Sequence, residues 1–146
     1  MASDEPLAEV PPWAASLLAG APVAHLGLLD DDLNPRVMPV TFALHAGGVW
    51  SAVDQKPKRR PGAELARVRF LRRRPRAALT VDRYDADWSQ LAWVQLLGRV
   101  EVLEASEAPD ALDALAAKYA DYRERRPAGP LLRLVVERAL HWRAGG

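Results

Sequence analysis

The sequence predicts a mainly β fold, an antiparallel barrel of six strands with peripheral helices. Three observations carry that expectation. Apolar runs of strand length come in clusters joined by turn residues, and only a few segments show helical periodicity. Strands and helices also fail to alternate regularly, as a doubly wound parallel sheet would require. At 146 residues the chain fits one domain, 1–146, with residues 1–12 expected to be flexible.

The elements follow from local signals. Pro11 and Pro12 suit the first turn of a short helix over Ala14 to Leu18, which ends at Gly20. Val23 to Leu29 reads as a buried strand, the cluster from Asp30 to Pro35 as a turn, and Arg36 to His45 as a second strand. Pro39 cannot donate to a ladder, so that strand must run along an edge or carry a bulge. Ala46-Gly47-Gly48 is a hairpin signal that pairs Val49 to Val53 with the second strand. Leu65, Val68 and Leu71 recur along one side of a helix from about Ala63 to Arg73, ended by Pro75. Ala77 to Asp82 is a fourth strand and Leu91 to Leu103 a long fifth, in which Gly98 marks a bulge or corner. Leu112, Leu115, Tyr119 and Tyr122 form one helical stripe, with the basic run Arg123 to Arg126 at its dipole-negative end. Leu131 to Val136 and Ala139 to Trp142 supply the last strand, interrupted near Glu137-Arg138.

Composition excludes several chemistries. Without cysteine there is no thiolate nucleophile, disulfide or cysteine-ligated metal, and three scattered histidines make no zinc motif, so no metal is expected. No apolar run approaches the roughly 18 residues of a membrane span, and the acidic start lacks the basic region of a secretory signal. A cytoplasmic protein with no membrane partner is the expectation. Charge is close to balanced overall, yet half of the 20 Lys and Arg residues lie between Lys56 and Arg76, where Glu64 is the one carboxylate. That asymmetry points to an anionic partner. A nucleic acid is not expected, because Phe70 is the one aromatic interleaved with the basic run.

Within that run, Lys56 and Lys58 alternate with Gln55 and Pro57 just past a strand end. An extended backbone sends both ammonium groups to one side, where they can converge on a phosphate. Arg59 or Arg60 adds a bidentate contact, and a helix start at Pro61-Gly62 offers free N–H groups. Trp88 stands in a polar loop among Asp85, Asp87 and Ser89. Trp93 and Trp142 lie within strands and read as core or interface, and His25 and His141 as buried, hydrogen-bonded histidines.

The segments Val53-Asp-Gln-Lys-Pro-Lys-Arg59, Arg72-Arg-Arg-Pro-Arg76, Ala77 to Trp88 and Leu91 to Gly98 together resemble the coenzyme F420-dependent branch of the pyridoxamine-phosphate-oxidase-like, FMN-binding split β-barrels, over about residues 20 to 143. The resemblance implies a six-stranded split barrel and an F420-dependent oxidoreductase passing hydride between reduced deazaflavin and a small unsaturated organic substrate. FMN is the alternative cofactor, and a non-catalytic F420 storage protein the alternative role. It further implies a homodimer with the tricyclic ring between protomers, against backbone that maps to Met38, Pro39, Val40 and Thr41 and to Ser51, Ala52 and Val53. Gln55, Lys56, Lys58, Arg59 and Arg60 would hold the phosphate, and Trp88 would close over the ring. Positioning dominates such chemistry because the cofactor carries the reactive carbon. If a side chain donates the completing proton, Tyr84 and His25 are the catalytic candidates.

Lys58→Ala and Arg59→Ala are each expected to weaken F420 binding by about 1 to 3 kcal/mol, the worth of a charge-assisted contact, while Arg69→Ala has a much smaller effect. Equal losses in all three, measured by fluorescence titration, would mean diffuse electrostatics and no specific cradle.

Overall fold

The computed structural model describes residues 5–53 and 65–145. Helices α1 (Glu5–Ala8) and α2 (Pro12–Gly20) precede strands β1 (Ala24–Leu29), β2 (Pro35–Val40), β3 (Ala43–His45) and β4 (Gly48–Ala52). Then come α3 (Ala66–Arg73), β5 (Arg76–Arg83), β6 (Ala92–Leu103), α4 (Pro109–Lys118), α5 (Ala120–Glu124) and β7 (Leu131–Arg143). The strands form one antiparallel sheet in the order β2-β1-β5-β6-β7-β4-β3. Its two outermost strands are consecutive in the chain, joined by Thr41 and Phe42 alone. Three Cα–Cα steps reach about 11 Å at most, so the edges must lie side by side and the sheet must curl into a barrel. No ladder joins β2 to β3, which leaves the barrel split along that seam.

The expected second strand, 36–45, is thus two strands, and the count is seven where the sequence suggested six. Hairpin pairing with β4 falls to its second half, Ala43 opposite Trp50 through His45 opposite Gly48. β2 is an edge strand, as Pro39 requires. The Asn34 carbonyl accepts from the Asp30 N–H at 3.0 Å, so antiparallel alternation turns the groups of Arg36, Met38 and Val40 toward β1. Pro35 and Pro39 then occupy outward positions, where a missing N–H removes no ladder bond. The β1–β2 turn is held by the Asp30 carboxylate, which accepts from the N–H groups of Asp32 and Asn34 at 2.9 Å each. Those bonds, the Asn34 one foremost, hold its pKa below the usual carboxylate range against the opposing effect of burial.

In β6, Ala92, Val94, Leu96 and Val100 point inward and Trp93, Gln95 and Leu97 outward. The inner face packs against Ala14 and Leu18 of α2 and Val68, Phe70 and Leu71 of α3. A second cluster joins Ala111 and Leu115 of α4 to Ala43, Trp50, Ala52 and Leu131. β4 is covered on both sides, which is why all five of its residues are buried. At the start of the chain, where flexibility was expected, α1 forms a helical turn, and Leu7 and Val10 pack against the core.

Three expectations need correction. His25 and His141 are exposed, not buried: His25 lies on the outer, uncovered side of β1, and His141 meets the edge of the Trp13 ring at 5.7 Å. Trp93 and Trp142 face each other across the β6–β7 ladder on the outer side, 36% and 46% exposed, and so are not core. The single helix expected through Tyr122 is broken at Tyr119, whose backbone is extended (φ −118°, ψ 119°). The expected bulge is present. Leu97 faces Arg138 while Gly98 faces Val136, leaving Glu137 as the extra residue.

A Cβ on Gly98 would stand 1.9 Å from the Val135 carbonyl oxygen, a backbone atom that cannot move aside cheaply. Gly98→Ala should therefore destabilise the protein by about 3 kcal/mol, the upper end of overpacking penalties, read as a lowered urea midpoint. An unchanged midpoint would show that β6 and β7 do not approach this closely.

Candidate functional site

At the seam the barrel opens into a cleft of about 1400 Å³. One wall is chain from both sides of the seam: Met38, Pro39, Val40 and Thr41 from β2 and the link, with Ala52 and Val53 from the end of β4, the strand next to the β3 edge. These six were named from sequence, and the curling of the sheet brings the two stretches together. The facing wall is the α4–α5 break, from Lys118 to Tyr122, continuing through Glu124 to Pro127, with Arg67 of α3 at the margin.

Two tyrosines join the walls. The Tyr119 hydroxyl accepts from the Phe42 N–H at 3.0 Å and donates to the Pro22 carbonyl at 2.8 Å. Phe42 is fully buried and lies between strands, so this phenol satisfies a donor that the ladders leave unpaired. Burial pushes the pKa of the Tyr119 hydroxyl above its ordinary range, with the Phe42 bond pulling the other way. Tyr122 shares a 2.7 Å hydrogen bond with Thr41 Oγ1, and the two rings meet edge to face at 5.5 Å. Ser51 does not line the cleft. Its buried hydroxyl donates to the Thr41 carbonyl at 2.6 Å and ties β4 to the link.

The α-helical wall is cationic. Lys118, Arg125, Arg126 and Arg67 line it, against the carboxylates of Asp121 and Glu124. Arg126 pairs with Asp113, while Arg123 donates to the Ala116 and Ala117 carbonyls at 2.8 and 3.1 Å, capping α4. Lys118 Nζ is buried without a hydrogen-bond partner among the described residues, 3.6 Å from the centroid of the Phe42 ring. Burial pushes its ammonium down to about 8, a loss the ring face offsets in part.

Apolar backbone-rich surface on one side and cations on the other suit a ring system carrying an anionic tail. Gln55, Lys56, Lys58, Arg59 and Arg60 lie outside the described residues, just beyond Val53 on the cleft wall. The remaining named residues are elsewhere. His25 lines a separate shallow groove on the outer sheet face with Val37, Thr80, Trp93 and Gln95. Tyr84 and Trp88 are 75% and 70% exposed and line neither recess. Lys118, Tyr119 and Tyr122 went unnoticed as site residues because their helical spacing reads as packing.

Tyr119→Phe removes the partner of the buried Phe42 N–H and should cost about 1 to 3 kcal/mol of stability. Chemical denaturation measures this, with Tyr84→Phe, an exposed tyrosine, as the silent comparison.

Comparisons with known proteins place this architecture. The chain matches the family described as pyridoxamine 5'-phosphate oxidase over residues 11–143. A conserved hypothetical protein from Mycobacterium tuberculosis shares the fold at 16% identity and a TM-score of 0.72, covering 92% of this chain and 84% of its own. A heme binding protein from Mycobacterium smegmatis is 21% identical with a TM-score of 0.72, and the match covers 100% of this chain but 56% of that one. A structure titled F420 reductase is 19% identical with a TM-score of 0.66, covering 90% and 98%. No curated protein matches the sequence. Among the described residues no helix is long and apolar enough to cross a membrane. The family match takes in every strand of the split barrel and both walls of the cleft, and the chain belongs to the pyridoxamine 5'-phosphate oxidase family of flavin-binding oxidoreductases.

Proposed function

We propose that this protein is a coenzyme F420-dependent oxidoreductase that acts on a small unsaturated organic substrate. The observation that carries the reading is the cleft, where Met38 to Thr41 and Ala52-Val53 form an apolar wall; in sequence, Val53 is followed by the basic segment 54–60. Reduced deazaflavin, when bound, supplies the hydride. The chain's own residues bind and orient: β2 presents outward backbone groups at Pro39, and Arg67, Lys118 and Arg125 supply positive charge for an anionic tail. Support also comes from the Lys56-Pro-Lys-Arg59 segment and from the F420 reductase among the structural neighbours. The structure favours neither sequence candidate for proton donation, since both His25 and Tyr84 line other surfaces than the cleft.

The working unit in this reading is a homodimer in the cytoplasm. Away from α4, the outer sheet face presents Trp93, Trp142 and Val37, the last 71% exposed, an apolar surface suited to a second copy. Trp88, at the rim of the same sheet, would then approach the partner's cleft.

Absorbance titration of the purified protein with F420 and with FMN, followed by sedimentation, tests both statements. Tight F420 binding by a dimer, with oxidation of reduced F420 by quinones or enones, is the expected result. FMN binding alone would identify an FMN enzyme, and F420 binding without turnover a storage protein. A monomer with cofactor bound would rule out the shared cleft.

A further inference from the structure

Lys118 is left unexplained by the seam and its tyrosines. Its Nζ is buried and has no hydrogen bond or ion pair among the described residues, although lysines near a surface ordinarily extend their stems to keep the ammonium in water. The Phe42 ring at 3.6 Å and the Tyr119 ring at 5.5 Å give the charge some compensation, as does the C-terminal end of α4. None of these is a counter-ion. The residue sits on the cleft wall, so rotation about its own side-chain bonds can carry the ammonium into the cleft while α4 stays in place.

We propose that Lys118 is a ligand-responsive cation, which leaves the Phe42 ring to pair with a phosphate or carboxylate oxygen of the molecule held in the cleft. The inference rests on the cleft being the ligand site and adds a named contact on its α4 wall. An ammonium desolvated without a partner gains more from an arriving anion than one already solvated or paired, so the contact should be stronger than that of an exposed lysine. Pairing restores its preference for the charged form, and ligand binding around pH 8 to 9 should take up a proton.

Among the described residues, the other charged and titratable groups facing this wall are Asp121, Glu124, Arg67, Arg125 and Arg126 on the cleft and Arg123 on α5, with His45 on β3 and Glu107 on the turn before α4 from the elements packed on it. None of these is a second amine, and burial pushes the neighbouring Tyr119 hydroxyl up, away from that window.

Carbon NMR of the lysine ε positions tests the proposal, with the Lys118 signal assigned by its loss in Lys118→Met or, should that variant not fold, in Lys118→Arg. The titration is followed alone and with F420, FMN or inorganic pyrophosphate. A midpoint near 8 that moves up by about one pH unit or more with a bound anion is expected, together with calorimetric uptake of about half a proton at pH 8. Lys118→Met should bind F420 about tenfold or more weakly at pH 7, the loss of one charge-assisted contact. Lys118→Arg should retain affinity without the proton uptake. A Lys118 midpoint unmoved by all three anions overturns the proposal, as does a folded Lys118→Met protein with unchanged affinity and proton uptake. A response to pyrophosphate without binding of F420 or FMN keeps the Lys118 assignment and removes the cofactor reading instead.

Discussion

Two residues have to carry the chain from one edge of a seven-stranded sheet to the other, and much of the structure follows from that tether. Thr41 and Phe42 are too short a link to let β2 and β3 separate, so the sheet between them must bend round. Their backbone groups lie in neither ladder, and other side chains satisfy them: Tyr119 the Phe42 N–H, and Ser51 the Thr41 carbonyl. Since an unpaired buried donor costs about 1 to 3 kcal/mol, these bonds outweigh most surface contacts of the molecule. They also explain the break in the helix. Tyr119 leaves helical geometry where its hydroxyl reaches the link, and α4 and α5 change direction there.

The seam that closes the barrel also makes the cleft. Because β2 and β3 do not pair, space remains between them and the α4–α5 break, and the chain facing it comes from β2, the link and the end of β4. The same tyrosines that satisfy the link therefore set the distance between the two walls. Lys118 precedes Tyr119 directly, so the turn that frees the phenol also places the ammonium against Phe42.

Within the described part of the basic stretch that ends at Arg76, several arginines are paired. Arg69 and Arg73 reach Asp31 at 3.5 and 3.1 Å, and Arg76 reaches Glu137 at 2.6 Å. These are exposed pairs, each worth about 0 to 1 kcal/mol, and they neutralise part of the α3 surface. Arg67, two residues before Arg69, is the α3 cation that lines the cleft, and its charge adds to that of Lys118 and Arg125.

Strand positions, the edge placement of Pro39 and the bulge at Gly98 were legible in the sequence because each has a local cause. Alternation, a missing N–H and a missing Cβ act on neighbouring residues and leave their mark within a few positions. The stretches Met38 to Thr41 and Ala52-Val53 were singled out together through resemblance, and the fold brings both to one cleft, a tertiary proximity that spacing alone does not carry. What local pattern could not decide was which side of a strand meets solvent in a curled sheet. His25, Trp93 and Trp142 sit in apolar strands yet face outward, because among the described residues the helix on the outer side, α4, covers β3, β4 and the start of β7 and not this stretch. The break at Tyr119 was equally hidden. Leu112, Leu115, Tyr119 and Tyr122 keep helical spacing, and only a hydrogen bond to Phe42, 77 residues away in the chain, makes an extended Tyr119 the better state. The cationic wall beginning at Lys118 follows from that long-range bond and not from any property of the residues around it in sequence.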